Sequence, residues 1–255
     1  MPKIKDGDYT LQVTLDTRGD LGILTSEIPV TLGRSAYERA QERFAAILKS
    51  GSAAKIDQAR TDFLAAACKR TIEPGADCLI DNASQANNEY YPGPEKLSAV
   101  VRWFPESDCL RVTANVTDGY FTTKGSFWHE WDASCVEVFL CPSGVDADIT
   151  QFFIVPEGPG NAPRIRAIRA AKYPINAKGI AGSWKRTEKG YTIEARIPWS
   201  KMKGMKKSYT SIPVEIAIDS KVPGWPVQCR MNASPDCPKS VRGYALLKMR
   251  KDVRE

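Results

Sequence analysis

Residues 131–140 read Trp-Asp-Ala-Ser-Cys-Val-Glu-Val-Phe-Leu, and this stretch decides the fold class. Successive side chains of a β-strand point to opposite faces, so Glu137 would share one face with Cys135 and Phe139 while three aliphatic side chains cover the other. A carboxylate among apolar neighbours is costly unless a donor hydrogen-bonds to it. Glu137 therefore marks either a binding site or the solvated face of an edge strand.

Strand patterns continue on both sides of this stretch. Residues 97–104 and 110–116 are rich in β-branched side chains and predict an antiparallel pair, and residues 151–155 and 191–197 predict further short strands. About eight to ten short strands separated by turns are typical of an antiparallel sandwich and not of alternating strand–helix units. We therefore predict a mostly β chain built on an antiparallel β-sandwich.

Two other patterns precede the sandwich. Residues 8–32 predict a β-hairpin around a Gly-containing turn. Two helical stretches, the first capped by Ser35 and Glu38 and the second ending at residue 69, predict a helical hairpin. The predicted divisions are residues 1–33 for strands that we interpret as the tail of an upstream β-sandwich, 34–71 for a helical-hairpin spacer and 72–255 for the sandwich.

The Trp131–Phe139 stretch and four strand patterns around it, taken in order, resemble the motifs of carbohydrate-binding module family 9 and its DOMON-like relatives. Trp131, Ser134 and the Val-Glu-Val-Phe run of 136–139 are similar to the family signature. The strands around it resemble the family's in residues 110–118, 151–152, 190–199 and 213–219. The resemblance implies a β-sandwich that binds glycans without catalysis, as part of a larger secreted protein that degrades polysaccharides. The alternative is a structural or protein-interaction sandwich without a sugar site.

The resemblance also implies site residues. A pyranose ring needs a flat aromatic platform beside hydrogen-bonding groups. Trp131 matches the family's ring-stacking tryptophan and Glu137 its hydroxyl-binding acid, and Trp128 and His129 would widen the platform. The family's second stacking tryptophan has no counterpart, so we expect Trp225 to supply that ring.

Three further positions depart from the family or leave its site open. Asp236 stands at the place of the second stacking tryptophan, Ser134 replaces an aspartate, and Phe153 replaces an arginine. An Asn- and Tyr-rich segment, residues 81–94, has the composition either of a loop that touches sugar hydroxyls or of an ordinary connector. The fold is therefore expected more firmly than the site.

Sequence motifs for catalysis are missing. There is no Gly-rich phosphate loop and no nucleophile elbow, and His129 is the only histidine. Glu137 and Glu194 could serve as the two carboxylates of a glycosidase. A cross-strand ion pair explains Glu194 more simply, because it alternates with apolar side chains in residues 191–197. We therefore predict that the protein is not an enzyme.

Basic residues are concentrated in one part of the chain. Residues 161–210 contain thirteen Lys or Arg against two Glu, in a chain whose net charge is +6. Such a run either attracts polyanions or forms a solvated face. No nucleic-acid-binding motif accompanies it. The expected partner is a polysaccharide or oligosaccharide, an anionic one included, with no nucleic acid and no membrane span.

Seven cysteines and one histidine show no zinc-ligand spacing. A disulfide between Cys229 and Cys237 would close a Pro- and Asn-containing loop and is the favoured pairing. We expect no required cofactor, although the family often carries structural calcium. The oxygen donors available for calcium are Asp118, Asp146, Asp148 and Asp219.

The first residues have no apolar segment of a signal peptide. Because residues 8–15 already form a strand pattern, we expect that a leader and further domains precede this chain in the full protein. The expected location is extracellular or periplasmic.

Overall fold

The structure is a computed structural model that describes residues 7–16, 23–32, 35–87, 91–123, 132–158, 161–223, 229–234 and 239–250. The chain divides into two compact units, Met1–Ala66 and Ala67–Glu255. Within the described part of the chain, no helix is long and apolar enough to cross a membrane.

The first unit contains the predicted β-hairpin and helical hairpin. Its elements are β1 (Gly7–Asp16), β2 (Ile23–Leu32), α1 (Ala36–Ser50) and α2 (Ala53–Ala67). The capping box of α1 is confirmed, because Glu38 N donates to Ser35 Oγ at 3.2 Å and Ser35 N donates to the Glu38 carboxylate at 2.7 Å. Phe44 and Phe63 stack between the helices with ring centroids 5.2 Å apart. The second helix ends at Ala67 and not at residue 69.

The described residues of the second unit form thirteen strands. They are β3 (Arg70–Ile72), β4 (Cys78–Ile80), β5 (Leu97–Pro105), β6 (Cys109–Asp118), β7 (Cys135–Leu140), β8 (Thr150–Val155), β9 (Arg164–Arg169), β10 (Tyr173–Ile175), β11 (Ala181–Arg186), β12 (Gly190–Pro198), β13 (Ser211–Ser220), β14 (Cys229–Asn232) and β15 (Ala245–Lys248). An eight-stranded sheet has the order β10-β9-β8-β7-β13-β15-β3, with β14 also paired to β13, and a five-stranded sheet has the order β11-β12-β6-β5-β4. The β15–β3 pair is parallel, and the other strand pairs are antiparallel.

The hydrophobic core lies between these two sheets. Val136, Val138 and Ile216 enter it from the eight-stranded sheet, and Val112 and Ile193 enter it from the five-stranded sheet. The predicted β-sandwich is thereby confirmed. Because side chains alternate along a strand, the intervening residues of β7, β8 and β13 form the outer face of the eight-stranded sheet.

One carboxylate joins the two sheets at an end of the sandwich. Asp118, the last residue of β6, accepts hydrogen bonds from Ser134 Oγ at 2.6 Å, Ser220 Oγ at 2.8 Å and Tyr120 N at 3.0 Å. Ser134 precedes β7 and Ser220 ends β13, so the contact ties β6 to two strands of the other sheet. Burial raises the pKa of Asp118 above its ordinary value, and these donors work against that increase.

The turn between β9 and β10 has an unusual backbone. Ala170 and Ala171 have φ angles of 52° and 54°, and Lys172 N donates to Arg169 O at 3.0 Å. Two successive positive φ values are those of a type I′ turn, which normally contains Asn or Gly. Ala170 N also donates to Ile149 O at 2.9 Å, which holds the turn against the start of β8.

Several cysteines are buried thiols. Cys78, Cys109, Cys141 and Cys229 are each less than 5% exposed. Burial raises the pKa of Cys109 and Cys141 to about 12 and that of Cys229 to about 11. The predicted pairing of Cys229 is therefore corrected, because Cys229 is a thiol; Cys237 lies outside the described residues.

Candidate ligand-binding site

Glu137 lies in the middle of the eight-stranded sheet and not on an edge strand. Its strand β7 pairs with β8 and β13, and Glu137 is directly opposite Phe153 on one side and Ala217 on the other. The alternative of a solvated edge strand is therefore wrong. Glu137 points to the outer face of the sheet, yet its exposed fraction is only 1%.

Among the described residues, the side chains of Gln151 and Arg230 donate to the Glu137 carboxylate. Gln151 Nε2 donates to Glu137 Oε2 at 3.1 Å, and Arg230 Nη2 forms an ion pair with the same oxygen. The Arg230 guanidinium also lies over the Phe139 ring, 5.2 Å from its centroid. The Arg230 side chain is 21% exposed, so it is the member of the ion pair that reaches solvent.

A second buried acid stands beside this ion pair. Asp219 on β13 lies opposite Arg230 on β14 and is fully buried. Burial raises the pKa of Asp219 well above its ordinary value, the charge of Glu137 raises it further, and Arg230 lowers it. Burial likewise raises the pKa of Glu137, against the opposing effects of Arg230 and Gln151.

Some buried polar atoms of this cluster have no hydrogen-bond partner within the described part of the chain. They are Arg230 Nε, Asn232 Oδ1 and both carboxylate oxygens of Asp219. Buried polar groups are normally hydrogen-bonded, so such a concentration at one place is typical of a functional site.

The Asn-rich segment predicted as a loop supports Arg230 from the backbone. Arg230 N donates to Asn87 Oδ1 at 3.0 Å, and Asn87 N donates to Arg230 O at 2.9 Å. These two bonds hold β14 beside the segment that begins at Asp81. Asn87 therefore has a positioning contact near the cluster, while residues 88–90 lie outside the described residues.

A cavity of about 210 Å³ opens beside the cluster. Its lining includes Phe139, Asp146, Ile149, Gln151, Ala170 and Lys239. Phe139 and Gln151 belong both to the cavity and to the network around Glu137. The cavity thus has apolar walls, which include the turn at Ala170. Its polar groups are the Gln151 amide, the Asp146 carboxylate and the Lys239 ammonium.

Of the five predicted site residues, Glu137 lies in the described part of the chain. Trp128, His129, Trp131 and Trp225 lie outside the described residues, and their roles stay predictions. The sequence reasoning missed Arg230, together with Asp219 and Asn232. The only signal was the alternation Cys-Arg-Met-Asn at 229–232, which is too short to predict a strand.

The four aspartates considered as calcium donors contact different partners. Asp146 Oδ1 accepts from Val241 N at 2.9 Å, and Asp148 pairs with Lys203 at 2.6 Å. Asp118 binds two serines, and Asp219 belongs to the Glu137 cluster. These positions do not form one oxygen cage, so calcium remains a prediction without an assigned place.

Glu194 does not belong to the cluster around Glu137. Glu194 lies on the five-stranded sheet, 3.7 Å from Arg111, and therefore does not form a carboxylate pair with Glu137. The predicted cross-strand ion pair of Glu194 is confirmed. The basic run also contains paired cations, for example Arg164 at 3.2 Å from Glu157. Its residues occupy strands of both sheets.

No family model and no curated protein sequence matches the chain. Among solved structures, a carbohydrate-binding module family 9 from Caldicellulosiruptor kristjanssonii is similar in its cellotriose complex (15% identity, TM-score 0.47, 72% of this chain and 96% of that chain) and in its glucose complex (17%, 0.44, 70% and 86%). A Bacteroides uniformis protein assigned provisionally to carbohydrate binding is also similar (14%, 0.48, 68% and 87%). All three TM-scores are below 0.5, so the β-sandwich is established by the two sheets of this structure and not by these similarities.

Proposed function

We propose that this chain is a non-catalytic carbohydrate-binding module whose ligand occupies the cavity beside Phe139 and Gln151. The observation that carries the proposal is that this cavity shares two side chains with the buried network of Glu137 and Arg230. A sugar presents apolar C–H faces and hydroxyl edges. Ligand sites of this kind are mostly apolar, with a few polar groups held in place.

The network would act by fixing the groups that touch the ligand. Glu137 engages one N–H of Gln151, so the amide cannot rotate freely, and it holds Arg230 over Phe139. At the cavity, Asp146 would accept a hydrogen bond from a sugar hydroxyl, and Lys239 would donate a hydrogen bond to one. Because Glu137 is 1% exposed, its contribution in this proposal is to position Gln151 and Arg230.

The roles predicted from the sequence belong to the same proposal. Trp131 would stack on a sugar ring, with Trp128, His129 and Trp225 as further ring contacts. The chain would serve as the glycan-binding part of a larger extracellular or periplasmic protein that degrades polysaccharides. An anionic glycan remains a candidate ligand because of the basic run between residues 161 and 210.

A glycan array tests the proposal with matched pairs of variants. Ala147 is exposed and lines the cavity, so Ala147→Phe should fill it and abolish binding, whereas Ala181→Phe on β11 should not. Trp131→Ala should also abolish binding, whereas Tyr173→Ala, which removes a 59% exposed ring on β10, should not. Cellotriose and glucose, the ligands in the complexes of the similar family 9 module, are the first probes.

Repeating the array at high salt separates two kinds of ligand. Attraction between exposed charges and a polyanion is screened by salt, while stacking and hydrogen bonding to a neutral sugar persist. Absence of binding by the folded wild-type protein would overturn the proposal and leave a structural or protein-interaction module.

A further inference from the structure

Two carboxyl groups and one guanidinium share a buried position on the outer face of the eight-stranded sheet. Glu137 on β7 is 1% exposed and Asp219 on β13 is 0% exposed. Arg230 on β14 forms an ion pair with Glu137 and lies opposite Asp219 in the strand register. Two buried like charges beside a single cation are strongly disfavoured, so such pairs usually keep a proton.

The hydrogen bonding of Asp219 also indicates that the pair keeps a proton. If both acids were ionised, both oxygens of Asp219 would have no donor within the described part of the chain. If one acid keeps its proton, the two carboxyl groups can hydrogen-bond to each other, and this contact favours the ionised form of Glu137 and the protonated form of Asp219. The proton therefore supplies the missing donor.

Other titratable or charged side chains also surround the pair and Arg230. Among the described residues they include Asp132 ahead of β7, Cys135 opposite Asp219, Arg166 on β9, Tyr191 on β12, Glu215 on β13, Cys229 on β14 and Tyr244. Arg166 lies on β9, which is not adjacent to β7, whereas Arg230 forms an ion pair with Glu137.

We propose that Glu137 and Asp219 hold one proton between them at neutral pH, and that loss of this proton weakens ligand binding in the cavity by displacing Arg230 from Phe139. The coupling rests on the proposed function. With the proton, the pair carries one negative charge, which Arg230 balances. Without it, two negative charges draw the guanidinium towards the pair and away from the Phe139 ring, which lines the cavity. Ligand and proton then stabilise the same state of Arg230, so each strengthens the binding of the other.

The shared proton can be measured without any ligand. Carbon NMR of protein labelled at the Asp and Glu carboxyl groups, titrated from pH 5 to 9, should show a carboxyl that stays protonated above pH 7 in the wild type. The signal should be absent from Asp219→Asn. Glu215→Gln, which changes another buried acid of the same sheet, should retain it. The proposal would be overturned if every protonated-carboxyl signal that the wild type shows above pH 7 were still present in Asp219→Asn.

The coupling is measured by calorimetric titration of the oligosaccharide selected on the array. Wild-type affinity should fall about fivefold or more between pH 6 and pH 8.5. Asp219→Asn should bind with little change over that range, because asparagine keeps the charge of the protonated acid at every pH. Binding that is independent of pH in the wild type would overturn the coupling while leaving the proposed function intact. Failure to bind any glycan at any pH would instead overturn the proposed function and the coupling with it, and the NMR result would then stand alone.

Discussion

Glu215 is a buried carboxyl group that contributes to the pH dependence of the protein's stability. It is 2% exposed, and its Oε1 accepts a hydrogen bond from Ile216 N at 2.7 Å. Burial raises the pKa of Glu215 to about 8, although backbone N–H groups and Arg70 lower it in part. An acid whose folded pKa exceeds its unfolded value binds more protons in the folded state. Its contribution to stability is therefore lost as pH rises from the unfolded value, about 4.5, through about 8.

Glu215→Gln should remove this part of the pH dependence. Glutamine imitates the protonated acid and can still accept from Ile216 N. The free energy of unfolding of the wild type should fall between pH 5 and pH 8, by up to about 1.4 kcal/mol per pH unit for this group, and that of the variant should fall less steeply. Urea unfolding at several pH values measures both slopes. The exposed Glu188→Gln is the matched control, and equal slopes for Glu215→Gln and wild type would contradict the prediction.

Asp118 differs from Glu215 because its carboxylate is the common acceptor of three hydrogen bonds, although burial raises its pKa as well. Asp118→Ala would leave Ser134 Oγ, Ser220 Oγ and Tyr120 N without their common acceptor, and we expect a loss of roughly 3 kcal/mol in the free energy of unfolding. Asp118→Asn keeps one acceptor oxygen and loses the cost of burying a charge, so its loss should be less than half as large. Chemical denaturation at pH 7 compares the two variants. Equal losses would show that the charge, and not the set of acceptors, matters.

At the scale of elements, the β9–β10 turn stores strain that can be relieved. Alanine in the left-handed region costs roughly 1–2 kcal/mol, whereas glycine adopts it freely. Ala171→Gly should therefore raise the free energy of unfolding by about 1 kcal/mol. Ala181→Gly, at an exposed position of β11 without a positive φ, should lower it by a similar amount. Denaturant unfolding of the two variants decides the matter, and destabilisation by Ala171→Gly would show that the alanine methyl group has packing value in the turn.

Long elements could be predicted from the sequence, because many residues showed the hydrophobic periodicity of a strand or a helix. The ten residues of β6 alternate clearly, the six of β7 form an apolar run with a single carboxylate, and α1 has both an apolar stripe and a capping box. β3 and β14 have three and four residues, too few for a period to emerge. Their places in the sheet come from tertiary pairing with β15 and β13.

The candidate site was predictable only where it coincides with a long strand. Glu137 stood out because a carboxylate interrupted an apolar strand. Its partner Arg230 lies 93 residues away in sequence, and no local pattern specifies a contact across that separation. The same limit explains why Asp219 was considered as a calcium donor and is found instead beside Glu137.

At the scale of the whole molecule, the two compact units suggest that the sandwich does not need the first unit. A fragment of residues 67–255 keeps all strands of both sheets, so its thermal midpoint should stay within a few degrees of that of the corresponding transition in the full chain. A fragment of residues 75–255 lacks β3 and uncovers the edge of β15. It should melt roughly 5 °C lower or more, because β3 contributes backbone hydrogen bonds and the buried Ile72. Calorimetry of both fragments is the measurement, and loss of folding in the longer one would contradict the prediction.

The buried thiols also affect the lifetime of the folded protein in an oxidising medium. While the sheets are closed, Cys78, Cys109, Cys141 and Cys229 are inaccessible, and burial suppresses the reactive thiolate. Each opening of the sandwich exposes several of them at once, and oxidation or mispairing then prevents return to the folded state. In an oxidising medium the working lifetime would follow the rate of unfolding and not the equilibrium stability. Substitutions that slow unfolding should therefore prolong that lifetime, even when the folding equilibrium hardly changes.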